Sequence, residues 1–256
     1  MEAGDFLAAV LRWFHIGSAI MWVGLLYFFN FAYMQFAEKL DPEGRKKAVL
    51  ELIPRTAYWF RWGAIYTWVT GFLLLGYVYY HGGLMFEAGS EGWTAGAIVM
   101  VVMTFAVYRL YAVLAGTKLV ENPVLFAVIG LVGIAVMEYL MINWGGFSYR
   151  AYSIHIGAMF GTIMAGNVWE KIWPAQKRVF AAIKGGTPPD PADLALIATR
   201  SRHNTYLSLP VIWTMINIHT TVASDSWLYL LGAVVIGWGV MNLVYKKAGT
   251  LTGVSS

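Results

Sequence analysis

Five histidines are the residues of this sequence most able to bind a metal ion or a haem. They are His15, His81, His155, His203 and His219. The 256-residue chain contains no cysteine, which excludes disulfides, thiolate metal sites, iron–sulfur clusters and a covalently attached c-type haem. Neutral imidazole is a good ligand for haem iron, copper and zinc. The side chains that are available therefore indicate histidine ligation.

The positions of the histidines along the chain separate them. His81 precedes two glycines in a predicted external loop, which is typical of a solvated histidine. The other four lie within or at the ends of apolar segments, where an ionisable side chain is costly and indicates a functional site. At about 1.5 Å per helical residue, His15, His155 and His219 are predicted to lie at one level in the outer half of a membrane, with His203 at the cytoplasmic start of its helix. These four are the candidate metal ligands, and the outer three predict a haem b held by two axial imidazoles.

Two arginines accompany the outer histidines. Arg12 lies three residues before His15, and Arg150 lies five residues before His155. Both are predicted on the outward side of the histidine, where a guanidinium group is well suited to bind a haem propionate through parallel hydrogen bonds. The simpler alternative is that the arginines only anchor helix ends at the membrane surface. The spacing favours Arg12 and Arg150 as cofactor-binding residues.

Glu138 is a carboxylate inside an otherwise apolar segment, about four residues from the predicted external end. Two interpretations of it stay open. It delivers protons to an outer site, or its side chain reaches the membrane surface from a helix end.

The composition identifies the elements that must position these residues. The chain is 59% apolar and 12% charged, with a mean hydropathy of +0.59, whereas a soluble domain is about 25% charged. A bilayer core needs about 20 apolar residues for each helical span. The predicted spans are residues 6–36, 56–80, 93–115, 123–142, 149–173, 203–222 and 226–245. The sequence therefore predicts an all-α integral membrane protein, a bundle of about seven transmembrane helices in a single domain over residues 1–256.

The basic residues predict the orientation of this bundle. Of the 18 Lys and Arg residues, only Arg12 and Arg150 fall on one side of a seven-helix arrangement, which leaves sixteen on the other. Many of the sixteen lie in two predicted cytoplasmic loops, residues 37–55 and 174–202. By the positive-inside rule the N-terminus is external and the C-terminus cytoplasmic. The formal net charge of +4 is thus a topology signal and does not indicate a nucleic-acid partner.

Four segments carry a resemblance to a known family. They read HIGSAIMWVG from His15, RWGAIYTWVTGF from Arg61, HIGAMFGTIMAGNVW from His155 with IWPAQK soon after, and RSRHNTYLSLP from Arg200 with a final NIH at residues 217–219. Taken in this order, over about residues 10–222, they resemble the membrane domain of bacterial urate hydroxylase, the urate oxidase N-terminal domain family.

The resemblance implies an all-helical redox protein that crosses the bacterial inner membrane several times. The resemblance also implies electron transfer, since urate hydroxylase passes electrons from urate to an attached C-terminal cytochrome c domain, which carries a Cys-x-x-Cys-His motif. Because this sequence contains no cysteine, we expect that domain to be lacking. A separate cytochrome c, or another membrane redox subunit, is then the expected electron partner.

Two functions follow as hypotheses, and a third has little support. The first is a membrane-embedded haem b protein that carries electrons as a subunit or partner of a cytochrome-containing respiratory or photosynthetic complex. The second is a urate hydroxylase-type oxidoreductase that acts on a small molecule with a separate cytochrome c as acceptor. The third, a transporter or a structural subunit, lacks the broken-helix pairs and repeats that transporters show. If the protein is an enzyme, it belongs to the oxidoreductases.

The orientation is directly testable. We expect a reporter fused after Ser256 to behave as a cytoplasmic protein, because the basic residues place the C-terminus on that side. A pair of reporters, one active only in the cytoplasm and one only outside it, makes the measurement. An external reporter would mean that the number of spans is not seven.

Overall fold

The computed structural model describes residues 3–220 and 226–251, and all the regular secondary structure within them is helical, with no strand. Within those residues the chain forms seven continuous helical stretches. They are Ala3–Tyr27 with Phe28–Tyr33 and Met34–Lys39; Pro42–Lys47 with Ala48–Leu52, Ile53–Leu74 and Leu75–His81; Ala95–Leu114; Pro123–Asn143; Tyr149–Gly166 with Asn167–Ile172 and Trp173–Lys184; Pro191–Asn217; and Leu228–Ala248. A short 3-10 helix, Lys118–Glu121, precedes the fourth stretch. The predicted all-α fold is confirmed.

Four of the helices are long and apolar enough to cross a membrane. They are Gly4–Lys39, Ala95–Leu114, Pro123–Asn143 and Leu228–Ala248. These helices identify the chain as a membrane protein. The other three predicted spans, 56–80, 149–173 and 203–222, also begin on helices, but the described parts of these helices contain more polar and charged side chains. The seven-span topology therefore stays a prediction.

The helices extend well into both predicted cytoplasmic loops. The first helical stretch ends at Lys39 and the second begins at Pro42, where the Asp41 side chain accepts a hydrogen bond from the Gly44 backbone N–H and caps the helix. The fifth stretch ends at Lys184 and the sixth begins at Pro191. Most residues of the two predicted loops are therefore helical, and the connections at Lys39–Pro42 and Lys184–Pro191 are short.

An ion pair fixes the second of these connections. The Arg178 side chain donates from Nε to both carboxylate oxygens of Asp193, at 3.1 and 2.9 Å. The hydrogen bonds from Arg178 hold the pKa of Asp193 below its ordinary value of 3.8. The carboxylate therefore stays ionised at neutral pH and joins the end of the fifth stretch to the start of the sixth.

Four segments of the helices are π-helical, with a turn wider than that of an α-helix. They are Phe28–Tyr33, Ala48–Leu52, Leu75–His81 and Asn167–Ile172. Such segments are rare in proteins and are frequent at functional sites. The segment Leu75–His81 is the one that supplies the two tyrosines described below.

The contacts divide the chain into two compact units. The first unit comprises Met1–Arg12, Gly71–Ile163 and Leu209–Gly237. The second comprises Trp13–Thr70, Met164–Ser208 and Trp238–Ser256. Each unit draws on several helices, so each is held together by contacts between segments that are distant in the sequence.

In the first unit the fifth and sixth helical stretches approach closely at Gly157. A Cβ atom added at Gly157 would lie 2.2 Å from the Thr214 hydroxyl oxygen and 3.0 Å from the Thr214 Cβ. Small residues allow this kind of close packing between helices in membranes. The contact fixes the helix that carries His155, two residues before the glycine.

In the second unit the helices are joined by asparagine side chains. The Asn167 amide donates to the Asn204 carbonyl oxygen at 2.9 Å, and both side chains are fully buried. The Asn30 amide donates to the Ser201 hydroxyl at 2.8 Å. Hydrogen bonds of this kind between helices stabilise membrane proteins by about 0.6–2 kcal/mol each.

The close approach at Gly157 gives a prediction for stability. We expect Gly157→Ala to destabilise the protein by about 1–3 kcal/mol, because the added methyl group overlaps Thr214. Gly161→Ala is the matched control, since it lies in the same helix and a Cβ there meets nothing within 4 Å. Thermal unfolding in detergent measures both variants. Equal unfolding temperatures for the two would contradict the packing described here.

Candidate functional site

His155 is the centre of the candidate site in the first unit. Its side chain is fully buried. The Nδ1 atom lies 2.7 Å from the Ala151 carbonyl oxygen, and Nε2 lies 3.0 Å from the Tyr80 hydroxyl. Because a backbone carbonyl can only accept a hydrogen bond, Nδ1 carries the proton and Nε2 accepts one from Tyr80. The backbone of its own helix thus fixes the tautomer of this imidazole.

Aromatic rings surround the His155 imidazole. The ring centroids of Phe147, Tyr80 and Tyr79 lie 4.9, 5.7 and 6.4 Å from that of His155. Tyr79 and Tyr80 are adjacent residues of the π-helical segment Leu75–His81, and both rings reach the same histidine. The enclosure keeps the imidazole away from water, so that its Nε2 lone pair can serve as a metal ligand or a base in an apolar environment.

The two arginines predicted as cofactor-binding residues belong to the same unit as His155. Arg12 and Arg150 are both exposed. Their positive charges act on the Tyr79 phenol, which is itself buried and packs against His155. Arg12, Arg150, Tyr79 and His155 all belong to the first unit of the chain, and cofactor binding by the two arginines stays a prediction.

The other histidines of the first unit are exposed. His219 lies at the end of the sixth helical stretch, where its backbone N–H donates to the Ile216 carbonyl oxygen at 3.2 Å. His81 is the last residue of the second helical stretch, and its ring lies 6.2 Å from that of Tyr77. Both imidazoles can reach solvent, in contrast to that of His155.

His15 is held in the second unit in a way that resembles His155. Its Nδ1 atom lies 2.9 Å from the Thr67 carbonyl oxygen and 3.2 Å from the Thr70 hydroxyl. Both hydrogen bonds of this half-buried imidazole use Nδ1, so Nε2 again carries the lone pair. A backbone carbonyl on the second nitrogen is the usual support of a metal-ligating histidine.

His203 occupies a different environment in the second unit. It is half-buried within the sixth helical stretch, and the charges of Arg200 and Arg202 act on it. The Arg200 side chain is itself buried, with 2% of its surface exposed. The surroundings of His203 are therefore cationic, whereas those of His155 are aromatic.

The structure gives no ready-made metal cluster in the residues it describes. No group of three or more histidine and acidic side chains in 3–220 and 226–251 is arranged to hold a metal ion. A haem needs only one or two axial histidines, since the porphyrin supplies the other ligands. The predicted haem ligation by His15, His155, His203 and His219 therefore stays a prediction.

The partners of the histidines are what sequence analysis missed. Tyr80 lies 75 residues from His155, and Thr67 lies 52 residues from His15. No local spacing connects residues so far apart. The one available signal is the pair of adjacent tyrosines, Tyr79 and Tyr80, at the end of an apolar segment.

Comparison with known proteins adds one finding. Residues 44–250 match the family model described as urate oxidase N-terminal. No curated protein and no solved structure matches the chain significantly. The matched range contains His155, His203 and His219 but begins after His15. The resemblance that the sequence motifs indicated is thus confirmed.

Proposed function

Because the chain belongs to the urate oxidase N-terminal family, we propose that it is a membrane-embedded oxidoreductase of the urate hydroxylase type. The observation that carries the proposal is the family match over residues 44–250. The four helices that are apolar enough to cross a membrane support a place in the bilayer. In this proposal the protein oxidises a small molecule such as urate and passes the electrons to a separate cytochrome c.

The proposal includes a topology and a location. The seven helical stretches agree in number with the predicted spans. With an external N-terminus and a cytoplasmic C-terminus, sixteen of the 18 Lys and Arg residues would lie on the cytoplasmic side of a bacterial inner membrane. Anionic headgroups of the lipid bilayer are then the natural partners of these residues.

His15 and His155 fit the requirements of haem ligands. Each has its Nδ1 hydrogen bonded to a backbone carbonyl, so that Nε2 is the atom left to bind iron. At His155 the Tyr80 hydroxyl occupies that position and would have to give way. A haem b, when bound, would supply one-electron redox chemistry. This chain's residues would orient it, exclude water from it and pair its propionates with Arg12 and Arg150.

The same histidines favour a second candidate function. A haem protein that only carries electrons, as a subunit of a cytochrome-containing respiratory or photosynthetic complex, needs the ligands but no substrate. His15 and His155 would serve this alternative equally well, because the Nδ1 atom of each is hydrogen bonded to a backbone carbonyl and Nε2 is the atom left to bind iron. His219, which is exposed, and His203, which is half-buried, stay further candidate haem ligands under both proposed functions.

A spectroscopic experiment tests the cofactor and separates the two functions. We expect the purified full chain to give a b-type pyridine haemochrome, and urate to reduce that haem. His15→Ala and His155→Ala should abolish the Soret band or make it high-spin, because each removes a candidate axial ligand. His81→Ala is the control, since that histidine is exposed at a helix end.

Each result has a distinct meaning. A preparation without haem would overturn the haem b proposal. A haem that urate does not reduce, in the presence of cytochrome c, would favour the electron carrier over the oxidoreductase. Wild-type spectra in both histidine variants would leave ligation to His203 and His219, whose alanine variants then decide it.

The arginines give a separate prediction for the reduction potential. We expect Arg12→Gln and Arg150→Gln to lower the haem midpoint potential by tens of millivolts, because a nearby positive charge stabilises the ferrous state. A tenfold change in the equilibrium of a one-electron couple corresponds to about 59 mV. Redox titration measures the shift. Arg109→Gln, in the third helical stretch, is the control and should leave the midpoint unchanged.

Two outcomes would contradict this assignment. An unchanged midpoint in both variants would leave Arg12 and Arg150 as anchors at the membrane surface. A raised midpoint would show that the arginines do not stabilise the reduced haem.

A further inference from the structure

The carboxyl group of Glu138 is shielded from solvent and has no hydrogen-bond partner among the described residues. It lies in the helix Pro123–Asn143, one of the four that are apolar enough to cross a membrane. None of its surface is exposed, and neither carboxylate oxygen has a hydrogen-bond partner among residues 3–220 and 226–251. An ionised carboxylate in such surroundings costs several kcal/mol. The predicted alternative in which Glu138 reaches the membrane surface does not agree with this burial.

Two tyrosines of the same unit are in contact with each other, and one of them is near Glu138. Tyr152, which is 5% exposed, is close enough that an ionised Glu138 carboxylate would act on its phenol. The rings of Tyr152 and Tyr149 meet edge to face, with their centroids 5.6 Å apart. Tyr149 is half-buried, so the phenols become more accessible with distance from the carboxyl group.

The second tyrosine is hydrogen bonded to a polar group at the solvent. The Asn217 side-chain amide donates to the Tyr149 hydroxyl oxygen at 2.5 Å, and the Thr220 hydroxyl donates to the Asn217 side-chain oxygen Oδ1 at 2.7 Å. Thr220 is exposed. Because the Asn217 side chain donates a hydrogen bond to the Tyr149 oxygen, the proton of the Tyr149 hydroxyl must point away from Asn217. Asn217 is therefore a positioning residue for that hydroxyl group.

We propose that Glu138 is a neutral carboxylic acid at rest and exchanges its proton with solvent through Tyr152 and Tyr149, with the route ending at Asn217 and Thr220. The O–H bond of the Glu138 carboxyl breaks and a new O–H bond forms at the Tyr152 phenol oxygen, while that phenol passes its own proton on to Tyr149 and Tyr149 in turn passes its proton on. One proton is released to solvent near Thr220, and the carboxylate regains a proton by the reverse route. No electron moves in this step.

This proton route is independent of the proposed oxidoreductase function. It needs neither a substrate nor a haem, and the loss of either would leave the exchange intact. Its use in the protein would be to carry protons between a buried site and the solvent, as carboxylates inside membrane proteins commonly do.

Infrared spectroscopy of the full chain in phosphatidylcholine vesicles tests the proposal. Glu138→Gln should remove one carbonyl band of a protonated carboxylic acid, which assigns that band to Glu138. On transfer to heavy water the band should shift as the proton exchanges. We expect Tyr149→Phe and Asn217→Leu to slow this exchange by about tenfold, because each removes a hydrogen-bonding group from the route.

Asn143→Leu is the matched control for Asn217→Leu. The Asn143 amide is exposed at the end of the helix that carries Glu138, and it donates to the Tyr139 carbonyl oxygen of its own turn at 2.9 Å. Tyr139→Phe is the control for Tyr149→Phe, since Tyr139 is 61% exposed. Both controls should exchange at the wild-type rate.

Three results would overturn the proposal. They are a Glu138→Gln spectrum that loses no carboxylic acid band, an unchanged exchange rate in both route variants, and an equal slowing in the controls. If Glu138→Gln does not fold, Glu138→Asp replaces it, and a displaced band then makes the assignment. Size-exclusion chromatography confirms that each variant is folded before its spectrum is recorded.

Discussion

The bilayer interior offers no hydrogen-bond partner, and the rest of this structure depends on that constraint. The backbone meets it by forming helices, which satisfy their own N–H and C=O groups. Polar side chains must meet it through one another. Asn167 pairs with Asn204, and His155 with Tyr80. Where a side chain finds no such partner, as at Glu138, chemistry is the more natural reason for its presence than stability.

The sequence predicted the helices well because length and apolar content decide them. Residues 123–142 were predicted as a span, and the helix is Pro123–Asn143. The predicted loops 37–55 and 174–202 agree less well with the structure, because helices cover most of both segments. Amphipathic helices such as Trp173–Lys184 contain no long apolar run, so a search for membrane spans does not detect them.

The site was predictable only one residue at a time. Its place in an apolar segment indicated His155, which the structure buries completely, whereas the role predicted for Arg12 and Arg150 stays a prediction. The tertiary partners were not predictable, because Tyr80 and Thr67 reach their histidines from other helices. The spacing of residues along one helix shows which of them share a face of that helix. Which residues of two different helices touch depends on how the helices pack, and spacing does not show this.

The π-helical segment Leu75–His81 determines how this region of the chain can change in length. A π-helical turn holds about one residue more than an α-helical turn, so it behaves as a single-residue insertion that the helix has absorbed. Deleting one residue of the segment before Tyr79 would return the wide turn to an α-helical one and leave the helix faces beyond it largely where they are. A deletion in a purely α-helical turn would instead rotate everything beyond it by about 100°, and Tyr80 would turn away from His155. Relatives that keep this tyrosine–histidine pair should therefore differ in length within the π-helical segment more readily than in the α-helical turns before it.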